Sequence, residues 1–140
     1  MAEGREGIVY LDMDDALFAF ATQLNLSIEE ARGELTAPGK LDAALHRPRA
    51  HAHYETDDLA VLAIVLAQGV MQAHAFIDGN KRTAHLLMVS FLVANGYGLT
   101  LSQEEEAIDL PALMIDLLEH KVTIAEFADW LRDRLIPYGT

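Results

Sequence analysis

Apolar positions recur at spacings of three and four residues in several parts of the chain, a period typical of amphipathic α-helices. The first such stretch predicts a helix over residues 12–24, with three aspartates in its first turn, where the helix dipole favours anions. Ser27 and Glu30 form a capping-box pattern for a short second helix, which has to end before Pro38. The first quarter of the chain is therefore predicted to be mainly helical.

The next segment has a weaker apolar pattern. We expect a short helical turn over residues 41–46, which ends before Pro48 because the residue preceding a proline disfavours the helical conformation. Residues 47–55 show no apolar period and are predicted to form a loop or loose hairpin. This segment gathers four basic or titratable side chains: Arg47, Arg49, His51 and His53.

Two strongly apolar helices are predicted in the middle of the chain, over residues 57–73 and 80–95. Thr56 is the expected N-cap of the first helix. Gly96 is the expected end of the second, because glycine readily adopts the left-handed conformation that closes a helix. Since residues 76–79 leave only a short connection, the two helices should pack antiparallel, as a hairpin at the centre of a bundle.

Two further capping boxes, each a hydroxyl residue followed three positions later by glutamate, begin at Ser102 and Thr123. They predict helices that end near residues 119 and 135. Pro111 should kink or divide the first of these helices, because proline lacks the backbone donor that a helix interior needs.

Strand patterns are confined to two short pieces, residues 8–11 and 97–101. Elsewhere the capping signals agree with the apolar period, and such agreement across levels favours the helical interpretation. We therefore expect an all-α fold: a helical bundle around a central antiparallel helix hairpin, with at most a small β hairpin or flap. A chain of 140 residues is expected to form it as a single domain over residues 1–140.

Composition and charge narrow the function classes. The chain has 22 acidic residues against 10 Lys and Arg, and its net charge of −12 disfavours direct binding of nucleic acid, which depends on Lys and Arg. The absence of cysteine excludes a disulfide scaffold, a thiolate nucleophile and any Cys-containing zinc site. No apolar run reaches the roughly 20 residues that cross a bilayer, and the start of the chain lacks a signal-peptide pattern. We therefore expect a soluble, cytoplasmic protein with no membrane partner.

The junction between the two central helices carries the candidate chemistry. Lys81 and Arg82 fall in the first turn of the second helix, where the helix dipole disfavours cations by about 0.3–1 kcal/mol each. They become favourable if an anion binds there, because free backbone N–H groups, the dipole and two cations then converge on it. Gly79 and Asn80 begin the same turn, and glycine lets the backbone approach a ligand closely. This pattern indicates a site for a phosphate-bearing ligand.

Asp78 and His74 complete this set of residues. An aspartate beside phosphates is repelled unless a divalent cation lies between them, and Mg²⁺ binds through one or two carboxylates plus phosphate oxygens. His74 is placed to accept a proton from a hydroxyl nucleophile, because imidazole titrates near neutral pH. A base, a metal carboxylate and an anion site are the parts needed to transfer a phosphorus group from a nucleotide to an alcohol.

Each of these residues also has a structural interpretation. His74 could be a satisfied core group, Asp78 or Asn80 a helix cap, Gly79 a turn residue, and the two cations solvated surface side chains. Their joint occurrence favours the functional interpretation. Phe76 and Ile77, which lie between them, are expected to pack in the core.

The segment HAFIDGNKRTA at residues 74–84 resembles the signature of the Fic/Doc family, whose pattern is His-x-Phe-x-Asp/Glu-Gly/Ala-Asn-x-Arg. The run Asn-Lys-Arg-Thr-Ala at residues 80–84 is closest to the death-on-curing (Doc) branch of that family. The resemblance extends to residues 41–48, 91–96 and 125–132, and so covers most of the chain.

Two departures from the Fic pattern point towards Doc: Lys81 replaces the usual small residue, and His85 stands where Fic members have a second arginine. Gly79, where the Doc toxin has alanine, points mildly back towards Fic. His85 is a possible further member of the site, or a residue that faces the core.

The resemblance implies a toxin that transfers the γ-phosphoryl group of ATP to a hydroxyl of a translation factor such as elongation factor Tu, and that a small Phd-type antitoxin neutralises. In that case His74 is the base, Asp78 holds Mg²⁺ and the turn from Gly79 to Arg82 holds the phosphates. One alternative is Fic-type transfer of AMP to a protein hydroxyl. Another is a non-catalytic member that acts only by binding.

The predicted loop over residues 47–55 corresponds roughly to the flap that aligns the target in this family. Its four basic or titratable side chains are unusual in an acidic chain, which suits docking of a target or a nucleotide, although a solvated loop is an equal alternative. His51 and His53 could instead chelate a metal on one face of a strand, but the spacing fixes no third ligand.

Overall fold

The computed structural model describes residues 7–137, apart from the side chain of Tyr54. Within this range the chain forms α1 (Met13–Leu24), α2 (Ile28–Glu34), α3 (Pro38–Tyr54), α4 (Leu59–Ala73), α5 (Asn80–Ala94), β1 (Tyr97–Leu99), α6 (Leu110–Leu118), α7 (Ile124–Arg132) and β2 (Leu135–Pro137). The predicted all-α architecture with a small β component is confirmed. The prediction that the start of the chain is not a signal peptide includes residues 1–6, which lie outside the described residues.

Helix α4 is the centre of the fold, and every residue from 62 to 71 is buried. It packs against α3 on one side and against α5, its partner in the predicted hairpin, on another. Its N-cap is Asp58, whose Oδ1 accepts from the N–H groups of Ala60 and Val61 at 2.9 and 3.3 Å. The prediction of Thr56 as N-cap was wrong, because the helix begins two residues later. The Thr56 hydroxyl instead accepts from the Asp58 N–H at 3.1 Å.

Residues 38–54 form one continuous helix, α3, with Pro48 buried inside it. The predictions of a short turn over residues 41–46 and a loop over residues 47–55 were therefore wrong. Proline costs about 3 kcal/mol in a helix interior, but a buried stripe at three and four spacings packs this helix along α4 and outweighs that cost. Besides the proline, this stripe comprises Leu41, Ala44, Leu45 and Ala52.

The helix that begins at the Ser102 capping box is divided as the sequence predicted. Its first part is a π-helical turn over Glu105–Asp109, and regular α-helix α6 begins at Leu110 with Pro111 in its first turn. A proline is tolerated in the first turn of a regular helix, because the N–H that it lacks would have no partner within that helix. The three predicted capping boxes, which begin at Ser27, Ser102 and Thr123, are all formed.

The β component is a pair of short antiparallel strands, β1 and β2, in which Leu99 lies opposite Leu135. The prediction for residues 97–101 is confirmed over Tyr97–Leu99. Residue 135 belongs to β2, so the last helix ends earlier than predicted. Residues 8–11 form no strand, and that prediction was wrong. The side chain of Asn95 takes the place of a strand partner there, since it bonds both the N–H and the carbonyl of Val9, at 2.8 and 2.9 Å.

Within residues 7–137, no helix combines the length and the apolar character needed to cross a bilayer.

The contact between α1 and the α4–α5 connection yields a stability prediction. Phe20 is fully buried and stacks on Phe76, with ring centroids 3.9 Å apart. Phe20→Ala should lower the free energy of unfolding by about 3–5 kcal/mol, because it leaves a cavity. Phe18→Ala on the same helix should change it by less than about 0.5 kcal/mol, because Phe18 is 66% exposed. Urea unfolding measures both values, and equal effects would contradict the packing described.

Candidate active site

The candidate site begins where α4 ends. His74 closes the helix in the left-handed conformation, with φ 44° and ψ 45°, which few residues other than glycine and asparagine adopt. This backbone turns the chain sharply out of α4, and the imidazole of His74 is exposed. The interpretation of His74 as a buried core group is therefore wrong.

The connection that follows His74 is held from one side by the segment between α2 and α3. Leu35 and Phe76 form an isolated antiparallel bridge. The N–H groups of Thr36 and Ala37 both donate to the carbonyl of Ala75, at 2.7 and 3.1 Å. Single bridges leave no periodic pattern in a sequence, so this contact could not be predicted. It fixes the connection against the rest of the domain.

Asn80 holds the same connection from within. Its Nδ2 donates to the Phe76 carbonyl at 2.9 Å, and its Oδ1 accepts from the Phe76 N–H at 3.1 Å. The side-chain amide is therefore used to close the loop. Asn80 is left with its backbone N–H to offer a ligand, because the first N–H groups of a helix have no partner within it.

Gly79 is the N-cap of α5 and has φ 79°, a conformation that favours glycine. A Cβ at this position would lie 3.0 Å from Nε2 of Gln23, so a side chain would displace that neighbour. Gln23 belongs to α1, and its Nε2 donates to the Gly79 carbonyl at 3.1 Å and to Oγ1 of Thr83 at 2.7 Å. This role could not be predicted from the sequence, because an isolated glutamine on an amphipathic helix has no distinguishing pattern.

One cavity of about 410 Å³ lies at this junction. It is lined by all six residues of the segment that the sequence singled out for chemistry: His74, Asp78, Gly79, Asn80, Lys81 and Arg82. Leu24 and Ile77 add apolar surface to its wall. Phe76 is buried as expected, but Ile77 is 66% exposed, so its predicted place in the core was wrong.

The charges of the cavity match the pattern inferred for an anion site. Lys81 and Arg82 are exposed in the first turn of α5, which contains no acidic residue. Neither forms an ion pair within residues 7–137. Asp78 is exposed too, and its Oδ1 accepts from the Gly79 N–H at 2.8 Å. Two unpaired cations and a helix N-terminus therefore face one opening, with a carboxylate at its edge.

Comparison with known proteins agrees with the signature at this site. The model of the Fic/DOC family matches residues 10–92, more than half of the chain, including every residue of the 74–84 segment. The chain belongs to the Fic/DOC family. It is 39% identical over 95 residues to the protein named Toxin Doc of Mycolicibacterium smegmatis (strain ATCC 700084 / mc(2)155), in a match that covers 64% of this chain and 67% of the relative.

A second cavity, of about 390 Å³, lies on the other side of Lys81 and Arg82, next to helix α5. His85 and Glu106 line it, together with apolar residues of α6. Burial lowers the pKa of His85, and the charge of Glu106 opposes that shift only in part. His85 therefore lies beside the candidate site, in a partly buried position, and does not line the first cavity.

The four side chains expected on a flap lie on helix α3, because residues 47–55 are not a loop. Arg47 reaches across Gly69 of α4, where its guanidinium lies 3.4 Å from both Gln68 Oε1 and Gln72 Oε1. The guanidinium of Arg49 lies 4.7 Å from the centre of the Tyr10 ring. These two arginines thus pack α3 against its neighbours, and neither lines the two cavities described above.

His51 and His53 are also on α3. Residues two apart on a helix point about 200° from one another, so these two side chains do not share a face. His51 lies 3.4 Å from Glu55. The alternative of a strand-face metal site at these two histidines was therefore wrong, and no group of three His, Asp or Glu side chains within residues 7–137 is arranged to hold a metal ion. The segment that contacts the α4–α5 connection is the one between α2 and α3.

The partly buried position of His85 yields a pH prediction. Its pKa is lower in the folded protein than in the unfolded chain, so unfolding takes up a proton. This contribution to stability is complete above pH 6.5 and is lost as the pH falls below it. Between about pH 7.5 and pH 5.5 the melting temperature of His85→Gln should therefore fall by less than that of the wild type. The melting temperature of Glu106→Gln should fall by more, because this variant lacks the charge that raises the pKa of His85. Equal slopes for the wild type and His85→Gln would contradict the assignment.

Proposed function

We propose that this chain is the toxin of a toxin–antitoxin pair, and that it transfers the γ-phosphoryl group of ATP to a hydroxyl of a target protein. The single observation that carries the proposal is the cavity at the α4–α5 junction. It combines an exposed histidine, an exposed carboxylate, two unpaired cations and the free N–H groups of a helix N-terminus. The name of the relative, Toxin Doc, supports the same class.

In the proposed reaction His74 accepts the proton of the target hydroxyl while the hydroxyl oxygen forms a bond to the γ-phosphorus of ATP. The bond between that phosphorus and the bridging oxygen breaks, and ADP leaves with the electron pair. Lys81, Arg82 and the N–H groups at the start of α5 stabilise the negative charge on the phosphates. The protein thus contributes a base and a positively polarised surface.

Asp78 fits the Mg²⁺ that such a reaction uses. Its carboxylate is exposed at the edge of the cavity, and only Oδ1 is engaged, by the neighbouring Gly79 N–H. Mg²⁺ is usually held by one or two carboxylates together with phosphate oxygens and water, so one aspartate beside a phosphate site is an adequate protein contribution. When bound there, the ion would neutralise charge on the phosphates.

Elongation factor Tu is the target that we propose, and a Phd-type antitoxin the regulator. Both proposals rest on the similarity to the Doc branch, whose Asn-Lys-Arg-Thr-Ala run this chain carries at residues 80–84. The net charge of −12 favours an antitoxin with basic residues at the docking surface. A co-purified antitoxin should raise the melting temperature of the chain.

Transfer of AMP is the second candidate function, because Gly79 matches the Fic pattern where the Doc toxin has alanine. Incubation with ATP, Mg²⁺ and elongation factor Tu, followed by mass spectrometry, separates the two reactions. Phosphoryl transfer adds about 80 Da to the target and AMP transfer adds about 329 Da. For a chain that acts only by binding, Asp78→Ala would stay toxic on expression, whereas we expect it to be harmless.

A substitution of His74 tests the assignment of the base. His74→Ala should lower the rate of transfer by at least about 10²-fold, the usual effect of losing a general base, with nucleotide binding nearly intact. The matched control is His120→Ala, because His120 is also an exposed histidine in the left-handed conformation and lies outside the cavity. Transfer within a few-fold of the wild-type rate in His74→Ala would remove His74 from the mechanism.

Lys81 and Arg82 should show opposite effects on stability and binding. Lys81→Ala and Arg82→Ala should leave the ligand-free protein as stable as the wild type, or up to about 1 kcal/mol more stable, because exposed cations at a helix N-terminus are unfavourable. Each should weaken binding of ATP·Mg²⁺ by at least about tenfold, or about 1.4 kcal/mol. Thermal melts and calorimetric titrations measure the two quantities.

The contrasting control is Arg132→Ala. Arg132 bonds Asp58 at 2.7 Å and Asp129 at 2.6 Å, so its loss should lower stability and leave nucleotide affinity unchanged. If Lys81→Ala and Arg82→Ala behave like this control, the physical basis of the phosphate site is lost.

A further inference from the structure

Gln23 lies on α1, 56 residues before Gly79 and outside the signature segment, yet it contacts the centre of the proposed phosphate site. Its Nε2 donates to the Gly79 carbonyl at 3.1 Å and to Oγ1 of Thr83 at 2.7 Å. The Thr83 hydroxyl in turn donates to the Gly79 carbonyl at 2.9 Å. The three groups form a closed hydrogen-bonded ring around the first turn of α5.

The chemistry of this ring fixes the orientation of the glutamine amide. The Gly79 carbonyl can only accept, and the hydrogen of the Thr83 hydroxyl is already given to it, so Gln23 has to present its nitrogen. This orientation leaves Gln23 Oε1 buried with no hydrogen-bond partner within residues 7–137. An apolar side chain of the same length would avoid that unfavourable acceptor. The amide therefore contributes to this contact through its nitrogen alone.

The nitrogen holds a peptide plane. The Gly79 carbonyl and the Asn80 N–H belong to the same planar peptide unit, so fixing the direction of one fixes the direction of the other. The Asn80 N–H is the first of the free donors of α5. Gly79 also leaves room for this contact, since a Cβ there would lie 3.0 Å from Gln23 Nε2.

We infer that Gln23 is a positioning residue for nucleotide phosphate: through the Gly79 peptide it directs the Asn80 N–H, the first free donor of α5, into the cavity. The inference rests on the proposed function, because it takes the phosphates to bind at that turn. It extends the functional unit from the signature segment to α1, which supplies no other polar side chain to the cavity among the described residues.

Gln23→Met tests the inference, because it removes the amide and keeps the length of the side chain. The matched control is Gln68→Met, which removes a buried glutamine of α4 that bonds Arg47 and lies outside the cavity. We expect Gln23→Met to weaken binding of ATP·Mg²⁺ by at least about tenfold in calorimetry, with a melting temperature similar to that of the control. Gln68→Met should bind the nucleotide like the wild type.

Hydrogen exchange in the ligand-free protein gives a second measurement that does not depend on nucleotide. The Thr83 N–H donates to the Gly79 carbonyl at 2.9 Å, so its exchange should accelerate in Gln23→Met and not in Gln68→Met. Thr83→Val should reproduce part of the loss of affinity. The double variant should lose less than the sum of the two single losses, because both act on the same carbonyl.

The outcomes are distinguishable. Wild-type nucleotide affinity in Gln23→Met overturns the inference, and so does an affinity loss that Gln68→Met shares. If Gln23→Met does not fold, Thr83→Val decides, and unchanged affinity in that variant overturns the inference. If the wild type binds no ATP·Mg²⁺, the proposed function fails, and the inference about nucleotide falls with it, whereas accelerated Thr83 exchange would still identify the hydrogen-bonded ring.

Discussion

The rest of the site depends on one constraint: the connection between α4 and α5 has to reverse the chain sharply and still leave the first N–H groups of α5 free. Helix α4 is buried almost throughout and cannot adjust, so the connection itself must be held. Asn80 bonds both backbone groups of Phe76, and Phe76 stacks on Phe20 of α1. These contacts hold the connection in place while the first N–H groups of α5 stay without partners in the helix.

The electrostatics of the site are local. The chain carries a net charge of −12, yet the opening of the cavity presents Lys81 and Arg82 without acidic partners in their helical turn. At physiological ionic strength charges are screened over about 8 Å, so exposed carboxylates elsewhere on the chain contribute little at the turn. Apart from Asp78 at the edge of the cavity, a phosphate near α5 would therefore meet mainly the two cations and the helix N-terminus.

The sequence was sufficient for the elements with local signals and failed where packing or long-range contacts decide. The capping box at Ser27 and the apolar runs of α4 and α5 were interpreted correctly, because both patterns are local. The apolar stripe of α3 was missed because a proline normally ends a helix. Burial of one face of α3 against α4 offset the cost of Pro48, which rules based on the local sequence treat as decisive. The residues assigned to a flap were misplaced for that reason.

The same distinction between local and long-range signals applies to the candidate site. The signature segment is contiguous, so the residues from His74 to Arg82 could be found by inspection, and the cavity unites them. Gln23 and the Leu35 bridge come from distant parts of the chain and carry no periodic or motif signal. Ile77 was assigned to the core because it is apolar, but the reversal of the chain turns it outward.

A crystal structure with a non-hydrolysable ATP analogue and Mg²⁺ would test the phosphate site most directly. We expect phosphate oxygens within hydrogen-bond distance of the N–H groups at the start of α5, with Lys81 and Arg82 beside them and the metal on Asp78. A nucleotide bound elsewhere on the protein, or bound in this cavity with its phosphates turned away from Asn80, would contradict this expectation.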